Sequence, residues 1–256
     1  MRRTILIACA LSVTLGLCAQ DSWDTVPKPG DPDPFRPGEK AGPLPRTRDG
    51  KPDLSGIWEA RTLANWDIVK HRGDYGYPGG PGIVEGDKIP YQDGALKKRS
   101  VLAKNPPASP CELPGVPRLT YMPYAFEIVQ TPRAIHAVYE YAHAWRIFHL
   151  DRTAHIAEPP TFDGDSVAHW EGDTLVVDVT GFNAETRLDL AGDFHSAQLH
   201  VIERYTPIDA NTIWYEATLE DSKIYTRPWK LRLPLHRQAK GFELGEYDCT
   251  ALESNP

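Results

Sequence analysis

The chain has 256 residues, 25% of them charged, and a formal charge of −7. An acidic balance gives no electrostatic reason to bind nucleic acid or an anionic lipid surface. Past the first residues no stretch is apolar enough to enter a bilayer, so no membrane span is expected.

Met1-Arg2-Arg3, the apolar run Thr4 to Leu17 and small Ala19 before Gln20 have the three parts of a secretory signal. Cleavage after Ala19 removes two arginines and no acid, taking the charge from −7 to −9, and implies a secreted or periplasmic product. It also removes Cys9 and Cys18. Cys111 and Cys249 then remain as the sole pair, in a compartment where disulfides persist. A disulfide between them is expected, two buried thiols being the alternative.

Residues 20–53 read as an extended leader: Pro27, Pro29, Pro32, Pro34, Pro37, Pro43, Pro45 and Pro52 rule out a helix interior or a central strand. Gly73 to Gly86 reads as a surface loop, since no Gly-Lys-Ser/Thr follows to make it a phosphate loop. One short helix is expected around Gln92 to Lys104.

Strands follow. Phe126–Val129, Ile135–Tyr141 and Trp145–Leu150 are rich in aromatic and β-branched residues between turn signals. Ser166 to Val179 reads as a hairpin about Gly172-Asp173. That register sets Trp170 opposite Leu175 and Ala168 opposite Val177 on a core face, with His169 and Asp178 on the other. Leu199–Thr206 and Ile213–Glu220 form a second hairpin. One face of its first strand carries Val201, Glu203 and Tyr205, the other His200, Ile202 and Arg204. Trp229–Leu235 and Phe242–Tyr247 complete the set. Consecutive short strands without alternating helices predict a single all-β domain over 54–256. Its expected form is an antiparallel up-and-down barrel with a partly polar interior; a two-sheet β-sandwich is the alternative.

Asp49 to Trp58 (DGKPDLSGIW), Cys111 to Arg118 (CELPGVPR), Gly164 to Asn183 (GDSVAHWEGDTLVVDVTGFN), His195 to Tyr205 (HSAQLHVIERY) and Tyr225 to Trp229 (YTRPW) resemble motifs of a widespread group of secreted, uncharacterised bacterial proteins from acidobacteria and proteobacteria. The resemblance runs from about Asp49 to the C-terminus and implies a secreted single domain without naming a reaction. Ser55-Gly56-Ile57-Trp58 also resembles the Gly-x-Trp opening of lipocalin-like barrels.

Three groups carry candidate chemistry. His195, His200 and Glu203 are the densest set of acid–base side chains, with Asp165 a further catalytic candidate. His200 and Glu203 point to opposite faces of a regular strand, which argues against a shared metal, and no metal or cofactor is expected. Arg146, Arg152, His155, His169 and Tyr205 are candidate ligand contacts. Gly164-Asp165-Ser166 resembles the nucleophile block of GDSL-type esterases, but Ser166 leads into a strand and no Asp-x-x-His follows, so a turn is the better reading. Among the aromatic residues, Trp170 and Trp229 are assigned to the core. A small-molecule ligand or substrate is expected, and two functions stay open. One is a barrel that binds a small amphipathic or carbohydrate-like ligand; the other is a hydrolase, lyase or isomerase with a His/Glu/Asp site.

Overall fold

A computed structural model describes residues 42–73, 79–105, 111–156 and 159–247. The signal segment, most of the proline-rich leader, residues 74–78 of the glycine-rich loop and Cys249 lie outside them.

Among the described residues nine strands form one closed barrel in chain order. They are β1 (Gly56–Glu59), β2 (Phe126–Gln130), β3 (Ala134–Tyr139), β4 (Trp145–His149), β5 (Asp165–Glu171), β6 (Thr174–Thr180), β7 (His200–Pro207), β8 (Thr212–Glu220) and β9 (Trp229–Arg237). β9 returns to pair with β1, so the sheet has no open first or last strand. An odd number of strands cannot close if every neighbour alternates in direction. The barrel resolves the mismatch with one parallel step, β4 beside β5, paired only at Phe148↔Ser166 and His149↔Val167. Every other pairing is antiparallel. The expected barrel is thus present, with one departure from pure up-and-down order.

The β5–β6 hairpin has the register read from its sequence: Trp170 faces Leu175 and Ala168 faces Val177. Gly172 supplies the positive φ, 59°, that the first turn position demands. On β7 the alternation is also as read, with Val201, Glu203 and Tyr205 buried and His200, Ile202 and Arg204 partly exposed. Side chains fill the interior. Trp58, Phe126, Phe148, Tyr205 and Tyr215 are all at most 1% exposed, beside Leu175, Val177, Leu231 and Leu235. Each such burial contributes about 1.5–3 kcal/mol.

Registers also fix the two ends. The β2–β3, β5–β6 and β7–β8 turns lie at one end, the mouth. The long connections β1–β2, β6–β7 and β8–β9 close the other, the plug. Over the plug lies the single α-helix of the described residues, α1 (Ala95–Ala103), within the stretch expected for it. Part of the β1–β2 connection also straps the barrel wall: the Arg232 amide donates to the Ile83 carbonyl at 2.9 Å and Val84 bridges to Leu231. β1 is only four residues long and reaches β9 only at Arg237 and His236, so this strap covers the rest of that edge.

Two expectations need correction. Phe242–Tyr247 forms no strand, because the barrel is already closed by β9 against β1. Trp170 is only partly buried, for it sits where β5 outruns β4, whereas Trp229 is a core residue at 2% exposure.

Candidate functional site

The side chains singled out in the sequence are distributed over four places. The first is inside the barrel. Arg146 of β4 and Glu203 of β7 both point inward, and their side chains pair at 2.5 Å with almost no exposure. Tyr205 and Tyr215 donate to Glu203 Oε1 at 3.1 and 2.8 Å, while Arg146 donates to Ser166 Oγ at 3.2 Å. Burial alone would lower the Arg146 pKa, but the Glu203 carboxylate, with Tyr139 and Tyr205, holds the guanidinium well above its ordinary value. Burial drives the nearby Tyr139 phenol up to about 12 and raises the Asp163 carboxyl. Arg146, Glu203 and Tyr205 are therefore a packed polar core rather than groups lining an open cavity.

The second place is the outer wall. Asp165 (β5), Asp178 (β6) and His200 (β7) project outward side by side, and the β4–β5 connection lays Arg152 and His155 over them. His155 Nδ1 lies 2.8 Å from Asp165 and its Nε2 3.1 Å from Asp178; His200 Nε2 is 2.9 Å from the same Asp178 oxygen. Arg152 also donates to Asp165. Burial would raise the Asp165 pKa, but hydrogen bonds from His155 and Arg152 hold it below the ordinary carboxylate value. Carboxylates and imidazoles alternate here. His169 stands apart, exposed and bonded to Glu171.

The third place is the plug. His195 is 1% exposed. Its Nδ1–H donates to the Ser196 carbonyl at 3.0 Å, so Nε2, 2.7 Å from the Thr186 hydroxyl, is the acceptor. That is a neutral imidazole with one tautomer. Burial pushes its pKa below the ordinary range, with the Ser196 carbonyl opposing. The unfolded chain then binds more protons than the folded one below about pH 6.5. The His195 contribution to stability is complete above that value and lost as pH falls. Urea midpoints taken between about pH 5 and about pH 7 should fall on acidification in the parent and less steeply in His195→Asn; equal slopes would dismiss this role.

Beside it is a group the sequence reading missed. Asp67, Asp189 and Asp193 bring carboxylate oxygens within 4.8 Å of one another, close enough to hold a metal ion. Their partners speak against one. Arg99 takes both oxygens of Asp193, at 2.7 and 3.0 Å, and Tyr91 donates to the first at 2.5 Å. Both oxygens of Asp189 accept backbone amides, from Ile68 at 3.0 Å and Asp193 at 2.9 Å. A cation therefore already stands in the cluster: Arg99 pairs with Asp193 and lies 3.8 Å from Asp67. Its sequence signal was Asp189 and Asp193 four apart around Gly192, whose φ is +93°.

The fourth place is the mouth. β4 accompanies β5 over two residues and then departs, leaving the outer half of β5 laddered on one side only, to β6. A cleft of about 550 Å³ opens there. Leu150, Ala168, Trp170 and Pro132 supply apolar surface; Arg48, Asp49, Lys51, Gln130 and His169 supply polar groups. The last turn of the leader forms one wall and is fixed in place, for Arg46 grips Asp173 in a two-pronged ion pair at 2.9 and 2.8 Å. His169 is the one candidate from the sequence that lines this cleft. The structure does not bring His195, His200 and Glu203 together, because they occupy plug, outer wall and interior.

Comparisons with protein-family models, with curated proteins and with solved structures returned no match.

Proposed function

We propose that the protein is an exported β-barrel that binds a small amphipathic or carbohydrate-like ligand at its mouth. The observation that carries this reading is the parting of β4 and β5, which exposes part of Trp170 beneath a rim of Arg48, Lys51 and His169. A flat apolar face, such as one side of a pyranose ring, stacks on the indole while hydroxyl or anionic edges meet the rim. The filled interior favours the entrance over the inside of the barrel for the ligand. Dispersal of His195, His200 and Glu203 favours binding over catalysis.

Export rests on the N-terminal signal pattern and accords with a Cys111–Cys249 disulfide. Tyr141 supports that pairing: its hydroxyl donates to the Glu112 carbonyl, and its ring lies 4.6 Å from that of Tyr247. One side chain thus holds the neighbours of both cysteines together.

A second reading, a hydrolase, lyase or isomerase, draws on the outer-wall chain, where Asp165 and Asp178 engage both ring nitrogens of His155 beside His200 and Arg152 in one acid–base cluster. One experiment separates the two. The mature protein is screened by thermal shift against sugars and aromatic metabolites, and hits are titrated calorimetrically. Trp170→Leu should weaken a hit by about tenfold or more, and His155→Ala should leave it unchanged. Turnover of a hit that disappears in His155→Ala would replace binding by catalysis, and a screen with no hit would refute the mouth site.

A further inference from the structure

We propose that the outer wall of the barrel carries a second, independent binding site, for a small amphipathic anion. It is the groove of about 660 Å³ between the outward faces of β8 and β9 and the strap formed by the β1–β2 connection. Its walls are apolar: Leu63 and Ile83 come from the strap, Pro234 from β9 and Pro123 from the approach to β2. These walls are fixed. The strap is hydrogen-bonded to β9 through Ile83 and to its own chain through the Ile83 amide on Ile68, at 2.8 Å. The site is therefore preformed, as small-molecule sites usually are.

The charges in it run against those of the protein. In a chain of net charge −7 the described residues lining this groove include Arg61 and Arg232 and one carboxylate, Glu59. Glu59 is already engaged, accepting from Gln238 and lying 3.7 Å from Arg61. Arg232 is held inside the apolar wall at 6% exposure, with its guanidinium 5.9 Å from the centre of the Trp214 ring. The Trp214 Nε1–H is shielded from solvent with no acceptor among the described residues. Apolar walls with the exposed Arg61 guanidinium at their rim point to the occupant: a flat or short-chain apolar body ending in a carboxylate, sulfonate or phosphate. Arg61, 54% exposed at the side chain, meets the anionic head, and the prolines and Leu63 enclose the body.

The probe is anilinonaphthalene sulfonate, with neutral N-phenylnaphthylamine as its uncharged counterpart, titrated by fluorescence against the mature protein. Saturable binding of the sulfonate is expected, weakened on the order of tenfold by Arg61→Glu and by high salt, with weaker binding of the neutral dye. Arg61 is exposed, so its variant should fold, and an unchanged melting temperature would establish that. Arg232→Lys, which retains the charge but loses the planar fork, should weaken the sulfonate less than Arg61→Glu does. Trp170→Leu should leave sulfonate binding intact, which separates this groove from the mouth. Equal affinity of the two dyes, indifference to Arg61→Glu, or loss of the site in Trp170→Leu would each overturn the proposal.

Discussion

Replacing Arg146 by leucine should lower the stability of the barrel by about 3–5 kcal/mol, read as an earlier urea midpoint at constant m. The cost does not come from losing a favourable contact of that size. Glu203 is 0% exposed and would keep only the hydroxyls of Tyr205 and Tyr215, with no other ion-pair partner among the described residues. Charge without a partner in a dry interior is what costs so much. The double variant Arg146→Leu/Glu203→Leu removes both charges, so it should be less damaged than Arg146→Leu alone. It does not return to the parent, since the two tyrosine hydroxyls and Ser166 lose partners. A double variant as unstable as the sum of its singles would mean that the pair is not coupled and that the polar interior is incidental.

That pair also shows where sequence stops informing. The face carrying Val201, Glu203 and Tyr205 is legible from alternation alone, and so is its need for an interior that is not wholly apolar. Its partner is not, because Arg146 lies 57 positions earlier on a strand that does not neighbour β7. Hairpins are readable because the turn sets the register, and Gly172-Asp173 placed Trp170 and Leu175 correctly. The β4–β5 step has no such turn. A connection that carries the chain back along the wall allows either direction for the next strand, so the parallel pairing, and the cleft it opens, are invisible without coordinates. Trp170 was misjudged for that reason: its face was right, but the missing neighbour was unknown. Of the outer-wall chain the sequence marked Arg152, His155, Asp165 and His200 separately, while the shared carboxylate, Asp178, was read only as an outward position. Asp67 belongs to a connection without periodicity, and nothing local links it to Asp189.

Asp189 offers the other large effect. Burial, reinforced by Asp193, raises its carboxyl well above the ordinary carboxylate value. The folded protein therefore retains a proton that the unfolded chain releases above about pH 4. By linkage, this contribution is greatest below the unfolded value and declines as pH climbs towards the raised folded one. Asp189→Ala leaves the amides of Ile68 and Asp193 without acceptors. Each orphaned donor costs about 1–3 kcal/mol, so a loss of about 2–6 kcal/mol is expected at acidic pH. Asp189→Asn keeps one acceptor and turns an amide donor towards the second N–H, and should lose about half as much. In both variants the deficit should shrink as pH rises, since only the parent must keep a buried acid protonated against the solution. His195 produces a slope of opposite sign, but it is common to parent and variant and cancels in the difference. Urea midpoints of the three proteins from about pH 4 to about pH 8 decide the matter. A deficit independent of pH would show that Asp189 keeps the same protonation folded and unfolded, and a deficit that grows with pH would show that it is held as the anion by Arg99.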